Sequence, residues 1–185
     1  MMVYLGLLPG IDGDHSKQTV ALTNNIGGSY RVAPVLHHLE SSHFAFEGIE
    51  FISLWCRHGE GNLQFYSDFG MVSKEEGEMN RKKVNEQGHV LLRYVDAVTK
   101  KAAYDMPDNP NGSVDGIAGL VNKPNGTIIG HMAHTEVSVY LSRDPDWNYI
   151  KDSYRRNKIK AADLKGKQME SEGLQVFRNI VNYFK

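Results

Sequence analysis

The chain of 185 residues is poor in cysteine, since Cys56 is the only one. A single thiol excludes an internal disulfide and favours a reducing compartment, so the sequence predicts a cytoplasmic protein. Long apolar runs are also absent, because none approaches the roughly 20 residues that a membrane-spanning helix needs. Residues 1–8 lack a basic leader and are too short for a secretory signal. We therefore expect no membrane partner.

An excess of charge of either sign is missing as well. The chain has 21 basic and 22 acidic residues, for a net charge of -1. This balance excludes the basic surplus that is typical of nucleic-acid binding, so no nucleic-acid partner is expected. Hydrophobic residues make up 41% of the chain, which is enough for a sizeable core. With no repeat or linker, the sequence predicts one domain over residues 1–185.

Apolar periodicity and breakers predict an α/β chain. Strands are expected at residues 19–23, 30–39, 49–55, 89–95, 116–121 and 127–132. Helices are expected at residues 1–8, 73–88 and 173–185. Pro34 argues that its strand lies at an edge or carries a bulge. Ser73 and Glu76 form a capping box that opens the second helix.

The last two elements carry more specific expectations. The helix at 173–185 has Leu174, Phe177, Val181 and Phe184 on one face at helical spacing, which predicts an amphipathic helix buried through that face. Residues 142–166 are polar and predicted to be irregular, with Trp147 and Tyr149 as anchors onto the body.

The stretch at residues 116–136 reads as two strands joined by a tight turn, and it ends in His134 and Glu136. A turn is expected at residues 123–126, where a proline is followed by an Asn-Gly pair. A histidine at the end of a buried strand, with an acid close enough to orient it, is half of a catalytic triad. The alternative is that both residues are ordinary surface residues.

No other motif supplies the missing nucleophile. Cys56 lies at the end of a strand and not on a glycine-flanked elbow, so we expect a partly buried structural residue. A zinc site could be drawn from the histidines with Glu60 or Glu136, and such a site would suit a small metal-dependent hydrolase. Three-residue spacing on a strand-to-loop segment points rings apart, which argues against that site. The histidines concerned are His37, His38, His131 and His134.

Four motifs in a fixed order carry a resemblance. They are His58-Gly-Glu-Gly61, Asn109-Pro-Asn-Gly-Ser113, Ile117-Ala-Gly119 and Gly130-His-Met-Ala-His-Thr-Glu136. Together they closely resemble the glutaminase subunit of phosphoribosylformylglycinamidine synthase, a class I glutamine amidotransferase of purine biosynthesis. The resemblance extends over nearly the whole chain.

This resemblance implies a flavodoxin-like α/β fold and a Cys-His-Glu triad that hydrolyses glutamine. His134 would be the general base that activates the thiol, and Glu136 would fix its tautomer. The ammonia would pass to a synthetase subunit, which is the expected partner besides glutamine. No cofactor is expected in this chain, since ATP and magnesium are used by the synthetase.

The chain departs from the family pattern in two places. Ala133 and Thr135 replace prolines beside the expected base. Residues 1–9 resemble the helix that follows the nucleophile elbow, so we expect residues 1–185 to be the C-terminal part of the domain, without its N-terminal strands and nucleophile elbow. Such a chain is expected to be inactive alone. The alternative is a non-catalytic remnant that binds the synthetase or another partner.

Overall fold

A computed structural model describes residues 1–66, 72–123, 126–144, 146–158 and 170–185. Within these ranges the chain alternates between strands, short 3-10 turns and three helices, which confirms the α/β class. The strands are β1 (Ala21–Thr23), β2 (Arg31–Leu39), β3 (Phe51–His58), β4 (Asn62–Gln64), β5 (Val90–Tyr94), β6 (Ile117–Val121), β7 (Ile129–His131) and β8 (Ala133–His134). The helices are α1 (Lys74–Glu86), α2 (Trp147–Arg156) and α3 (Glu172–Tyr183).

A six-stranded sheet forms the centre of the molecule, in the order β7-β6-β5-β2-β3-β8. Neighbouring strands in it run antiparallel. The long pair β2 and β3 is in register from Arg31↔His58 to His38↔Phe51. On its other side β2 pairs with β5 only from His37 to Leu39. Pro34 therefore has no strand on that side, as expected of a residue that cannot donate to a ladder.

Strand β3 separates the core from an outer face. Ile52, Leu54 and Cys56 are buried in the main apolar cluster. Because side chains alternate along a strand, Trp55 and Arg57 lie on the opposite face. A second apolar cluster packs near β4, β6 and the first residues of the chain, and it includes Leu8, Val20, Leu63, Val84, Ile117 and Leu120.

Helix α1 begins after Ser73, as the sequence predicts, and the Ser73 half of the expected capping box is formed. The Ser73 hydroxyl accepts a hydrogen bond from the Glu76 backbone amide at 3.1 Å. The helix is exposed along most of its length and buries Gly77, Asn80 and Val84. Gly77 allows close contact, since a Cβ there would lie 2.8 Å from the Phe65 carbonyl oxygen.

The helix predicted for residues 1–8 is wrong. The segment forms turns, with bonds from Leu5 N to Met1 O and from Gly6 N to Val3 O. Gly6 has a φ of +76°, and a Cβ there would lie 2.8 Å from the Lys17 carbonyl oxygen. The segment therefore bends at Gly6, in a conformation that L side chains rarely adopt.

Helix α3 exists, but the face predicted to be buried is wrong. Phe177, Val181 and Phe184 are 40%, 53% and 76% exposed. The helix instead buries Gly173, Val176 and Asn179. A close backbone approach and a pair of hydrogen bonds explain this choice. A Cβ on Gly173 would lie 2.2 Å from the Ser138 carbonyl oxygen, and the Asn179 amide donates to the carbonyls of Ala45 and Glu47.

The segment predicted to be irregular contains helix α2, so that prediction is wrong for residues 147–156. Tyr149 is 70% exposed and does not anchor the segment, whereas Trp147 is half-buried. Residues 145 and 159–166 of the segment lie outside the described ranges, as do residues 124–125 of the predicted turn. Across the described parts of the chain, helices are too short or too polar to cross a bilayer.

Candidate active site

Strand β8 places His134 at the edge of the sheet. His134 pairs with Trp55 of β3, and the preceding Ala133 pairs with Cys56. The chain then turns through a 3-10 segment, Thr135–Ser138, which brings Glu136 back onto the imidazole. The distance from His134 Nδ1 to Glu136 Oε1 is 2.5 Å. The structure thus brings together the two residues that the sequence singled out.

This contact assigns the protons on the imidazole. A carboxylate can only accept a hydrogen bond, so His134 Nδ1 must donate to Glu136. In the neutral ring, the lone pair then lies on Nε2, where it can accept a proton. Partial burial is the largest single influence on Glu136 and opposes its ionisation, but the hydrogen bond from His134, a backbone hydrogen bond and the nearby imidazoles together lower the pKa of this carboxyl. The pair has the protonation pattern that a general base requires.

Both side chains are open to solvent. The His134 side chain is 39% exposed and that of Glu136 is 63% exposed. Solvent therefore reaches both members of the pair. Ala133 and Thr135 are both buried, so backbone packing holds the pair in place where the family pattern has prolines.

Cys56 does not complete this pair. Its side chain is 0% exposed in the main core cluster, and its Sγ lies 3.5 Å from the Tyr94 hydroxyl. Burial raises the pKa of the thiol to about 11, although the contact with Tyr94 opposes the shift. Since Trp55 and His134 face away from the core side of β3, Cys56 points to the other side of the sheet from the base. The sequence predicted a partly buried structural cysteine, and the structure shows a fully buried one.

A clamped loop lies beside the pair, at residues 58–61. The Asn25 side chain donates to the His58 carbonyl at 2.6 Å and accepts from the Gly61 amide at 3.0 Å. The Ser113 hydroxyl donates to the Gly61 carbonyl at 2.9 Å. His58 is near enough to His134 that mutual repulsion, after burial, lowers the His58 pKa. Sequence reasoning missed Asn25, because an asparagine in a polar loop carries no signal of a distant partner.

The histidines of the possible zinc site lie in different environments. His37 is buried in the core, His38 contacts Glu40 at 3.1 Å, and His131 Nε2 contacts the Thr135 hydroxyl at 3.2 Å. Among the residues that the structure describes, no group of three His, Cys, Asp or Glu side chains could hold a metal ion. The arrangement suits proton transfer at His134.

Comparisons with known proteins show which family and which proteins the chain is similar to. The family of CobB/CobQ-like glutamine amidotransferase domains matches residues 1–184. Phosphoribosylformylglycinamidine synthase subunit PurQ of Methanococcus maripaludis is 30% identical over 185 residues, which are 100% of this chain and 62% of that protein. The PurQ subunit of Archaeoglobus fulgidus is 34% identical over 142 residues, 74% of this chain and 49% of that protein.

A chain in the structure of PurLQS from Thermotoga maritima is similar with a TM-score of 0.48 and 24% identity, over 89% of this chain and 53% of that one. The chain spans less than two thirds of the length of these relatives. The family match extends over all but the last residue and confirms the resemblance seen in the motifs. The chain belongs to the CobB/CobQ-like glutamine amidotransferase domain family.

Proposed function

We propose that this chain supplies the general base and its orienting acid for hydrolysis of the glutamine carboxamide within a phosphoribosylformylglycinamidine synthase. The observation that carries the proposal is the 2.5 Å contact between His134 Nδ1 and Glu136 Oε1 at an exposed edge of the sheet. Membership in the amidotransferase family supplies the reaction type.

In this reaction His134 Nε2 takes the proton of a thiol, and the Glu136 carboxylate stabilises the imidazolium that forms. The thiolate attacks the carboxamide carbon of glutamine. The imidazolium returns its proton to the leaving nitrogen, so ammonia departs and a glutamyl thioester remains. Water then hydrolyses the thioester to glutamate, with the same imidazole as base. The ammonia passes to a synthetase subunit that uses ATP and magnesium.

The attacking thiol comes from outside these 185 residues. Cys56 is the only cysteine of the sequence and is buried on the core side of the sheet. A buried thiol with a raised pKa is neither ionised nor accessible near neutral pH. The proposed site therefore needs a cysteine from another segment, and the part of the PurQ relatives that the match leaves uncovered is where such a segment can be sought.

The test is complementation. The chain is mixed with the part of the Methanococcus maripaludis relative that lies outside the match, and glutamate release from glutamine is measured. We expect release only in the mixture. His134→Asn and Glu136→Gln should each reduce it by at least about 10²-fold, as for the base and orienting acid of other triads.

The chain offers a matched control for these substitutions. His38 and Glu40 form a contact of the same spacing, at 3.1 Å, on a different part of the sheet. His38→Asn and Glu40→Gln should leave glutamate release unchanged. If the mixture releases no glutamate under conditions where an intact family member is active, the catalytic proposal is contradicted.

The second candidate function is a non-catalytic module that binds the synthetase. The position of Cys56 favours it, because the described residues contain no accessible thiol. A pull-down with the synthetase subunit measures this function directly. Retention of the synthetase by a chain that stays inactive after complementation would support the module, and failure of both experiments would exclude it.

A further inference from the structure

A polar cleft adjoins the His134–Glu136 pair on the outer face of the sheet. It has a volume of about 550 Å³ and lies between β3 and the start of α2. Its walls include Trp55, Arg57, Val137, Arg143, Asp144 and Trp147. Trp55 is the cross-strand partner of His134, and Val137 follows Glu136. The His134 and Glu136 side chains do not line the cleft, so it is a separate site next to the pair.

Two arginines give the cleft an excess of positive charge. Neither Arg57 nor Arg143 forms an ion pair with any described residue, and outside the cleft the same holds for Arg31, whereas five other arginines do form ion pairs. The paired arginines are Arg81, Arg93, Arg155, Arg156 and Arg178. Asp144 is the acid in the lining, and its carboxylate accepts a hydrogen bond from the Asp146 amide. Two unpaired guanidinium groups that share a cleft form a site for an anion with several oxygen acceptors.

The cleft also concentrates the indole rings of the protein. The sequence has two tryptophans, and both line this cleft. The Trp55 Nε1 donates to the Arg143 carbonyl at 2.9 Å, which fixes the indole against the segment that carries the second arginine. The Arg57 guanidinium lies 5.6 Å from the centre of the Trp55 ring. Half-buried indoles beside arginines favour a planar ring system as the other part of a ligand.

We propose that this cleft binds a nucleoside monophosphate. The phosphate dianion lies between Arg57 and Arg143, whose two charges it balances. The base stacks on the Trp147 indole, and the sugar hydroxyls donate to the Asp144 carboxylate. A cleft of about 550 Å³ has the size of pockets that enclose such molecules. This binding does not depend on glutamine hydrolysis, and the two can be tested separately.

The two tryptophans provide the assay, because all indole fluorescence of the chain comes from the cleft. The 185-residue protein is titrated with adenosine monophosphate, with excitation at the red edge of the indole band, where adenine does not absorb. We expect a saturable change in emission with a Kd below roughly 1 mM. Inorganic phosphate and adenosine are titrated separately, and each should bind at least about ten-fold more weakly than the nucleotide.

Single substitutions locate the binding. Arg57→Gln and Arg143→Gln should each raise the Kd by about ten-fold or more, since each removes a charge-assisted pair with the phosphate. Arg155→Gln is the matched control, because Arg155 pairs with Asp152 on α2 and does not line the cleft. It makes the same change in net charge and should leave the Kd unchanged. Far-ultraviolet circular dichroism verifies that each variant is folded.

Three results would overturn the proposal. The first is no saturable emission change with the nucleotide. The second is phosphate binding as tightly as the nucleotide, which would show that the rings contribute nothing. The third is an equal loss of affinity in Arg155→Gln, which would reduce the effect to net charge.

Discussion

The buried histidine His37 predicts how the stability of the fold depends on pH. Its side chain is 0% exposed, and it lies 5.0 Å from the Tyr94 ring, centre to centre. Burial, with a smaller contribution from His131, lowers its pKa from 6.5 to about 3. The nearby backbone of Val35 and Ile52 raises the pKa again, but by less than burial lowers it. Neither ring nitrogen has a hydrogen-bond partner of normal geometry that would stabilise the protonated ring.

The sign of the effect follows from where the proton binds. Between about pH 3 and pH 6.5 the unfolded chain protonates this imidazole and the folded chain does not. Above pH 6.5 protonation of His37 does not affect the free energy of unfolding. Below pH 6.5 the free energy of unfolding decreases as the pH falls, because the unfolded chain binds a proton that the folded chain does not. Each pH unit below 6.5 costs about 1.4 kcal/mol, so the loss at about pH 4.5 is about 2.7 kcal/mol. This is a large part of the 5–15 kcal/mol that is typical of a domain.

The assay is urea unfolding of the wild-type chain and of His37→Leu at several pH values between about 7 and 4.5. The variant keeps an apolar side chain of similar size but cannot bind a proton, so its loss of stability over this range should be smaller by about 2.7 kcal/mol. His38→Leu is the control, because His38 lies on the opposite face of β2, partly exposed and in contact with Glu40. Equal pH dependence in wild type and His37→Leu would refute the reasoning.

Two further predictions concern the packing around the site. Gly173→Ala should lower the free energy of unfolding by about 2–3 kcal/mol, because its Cβ would lie 2.2 Å from the Ser138 carbonyl oxygen. Gly59→Ala should lower the free energy of unfolding by less, since its Cβ would be 3.8 Å from the nearest atom. Equal losses for the two variants in chemical denaturation would contradict the close contact between Gly173 and Ser138. Cys56 should react with a thiol reagent only at the rate of unfolding, because it is fully buried and its pKa is raised to about 11. Prompt labelling of the native chain would show that the thiol is accessible.

Local sequence patterns predicted the strands well and the docking of the helices poorly. Alternation and β-branched residues placed β2, β3, β5 and β6 close to their observed ranges, because a strand that packs on a core needs that pattern. The face of α3 could not be predicted in this way. The apolar pattern predicts that the face with Phe177 and Val181 is buried. The face that actually packs on the body is set by Gly173, which allows a close backbone approach, and by Asn179, which forms hydrogen bonds.

The candidate site was predictable only in its local part. His134 and Glu136 are two residues apart, so their contact can be inferred from the chain. The placement of Trp55 opposite His134 and the clamp by Asn25 join residues far apart in sequence. Helix α2 was missed because most of its residues are polar, a composition that predicts irregular structure, and none of its residues is buried.

The clamp on the loop at residues 58–61 has a consequence for how the molecule opens. Its hydrogen bonds come from Asn25 and Ser113, which belong to two distant segments. The Asn111 carbonyl also accepts from the Ile26 amide at 2.9 Å, so these two segments hold each other. The loop and the two segments therefore depend on one another, because none of the three can unfold without breaking hydrogen bonds to the other two. In hydrogen exchange they should behave as one cooperative unit, in which amides that are far apart in sequence become exposed in the same opening event.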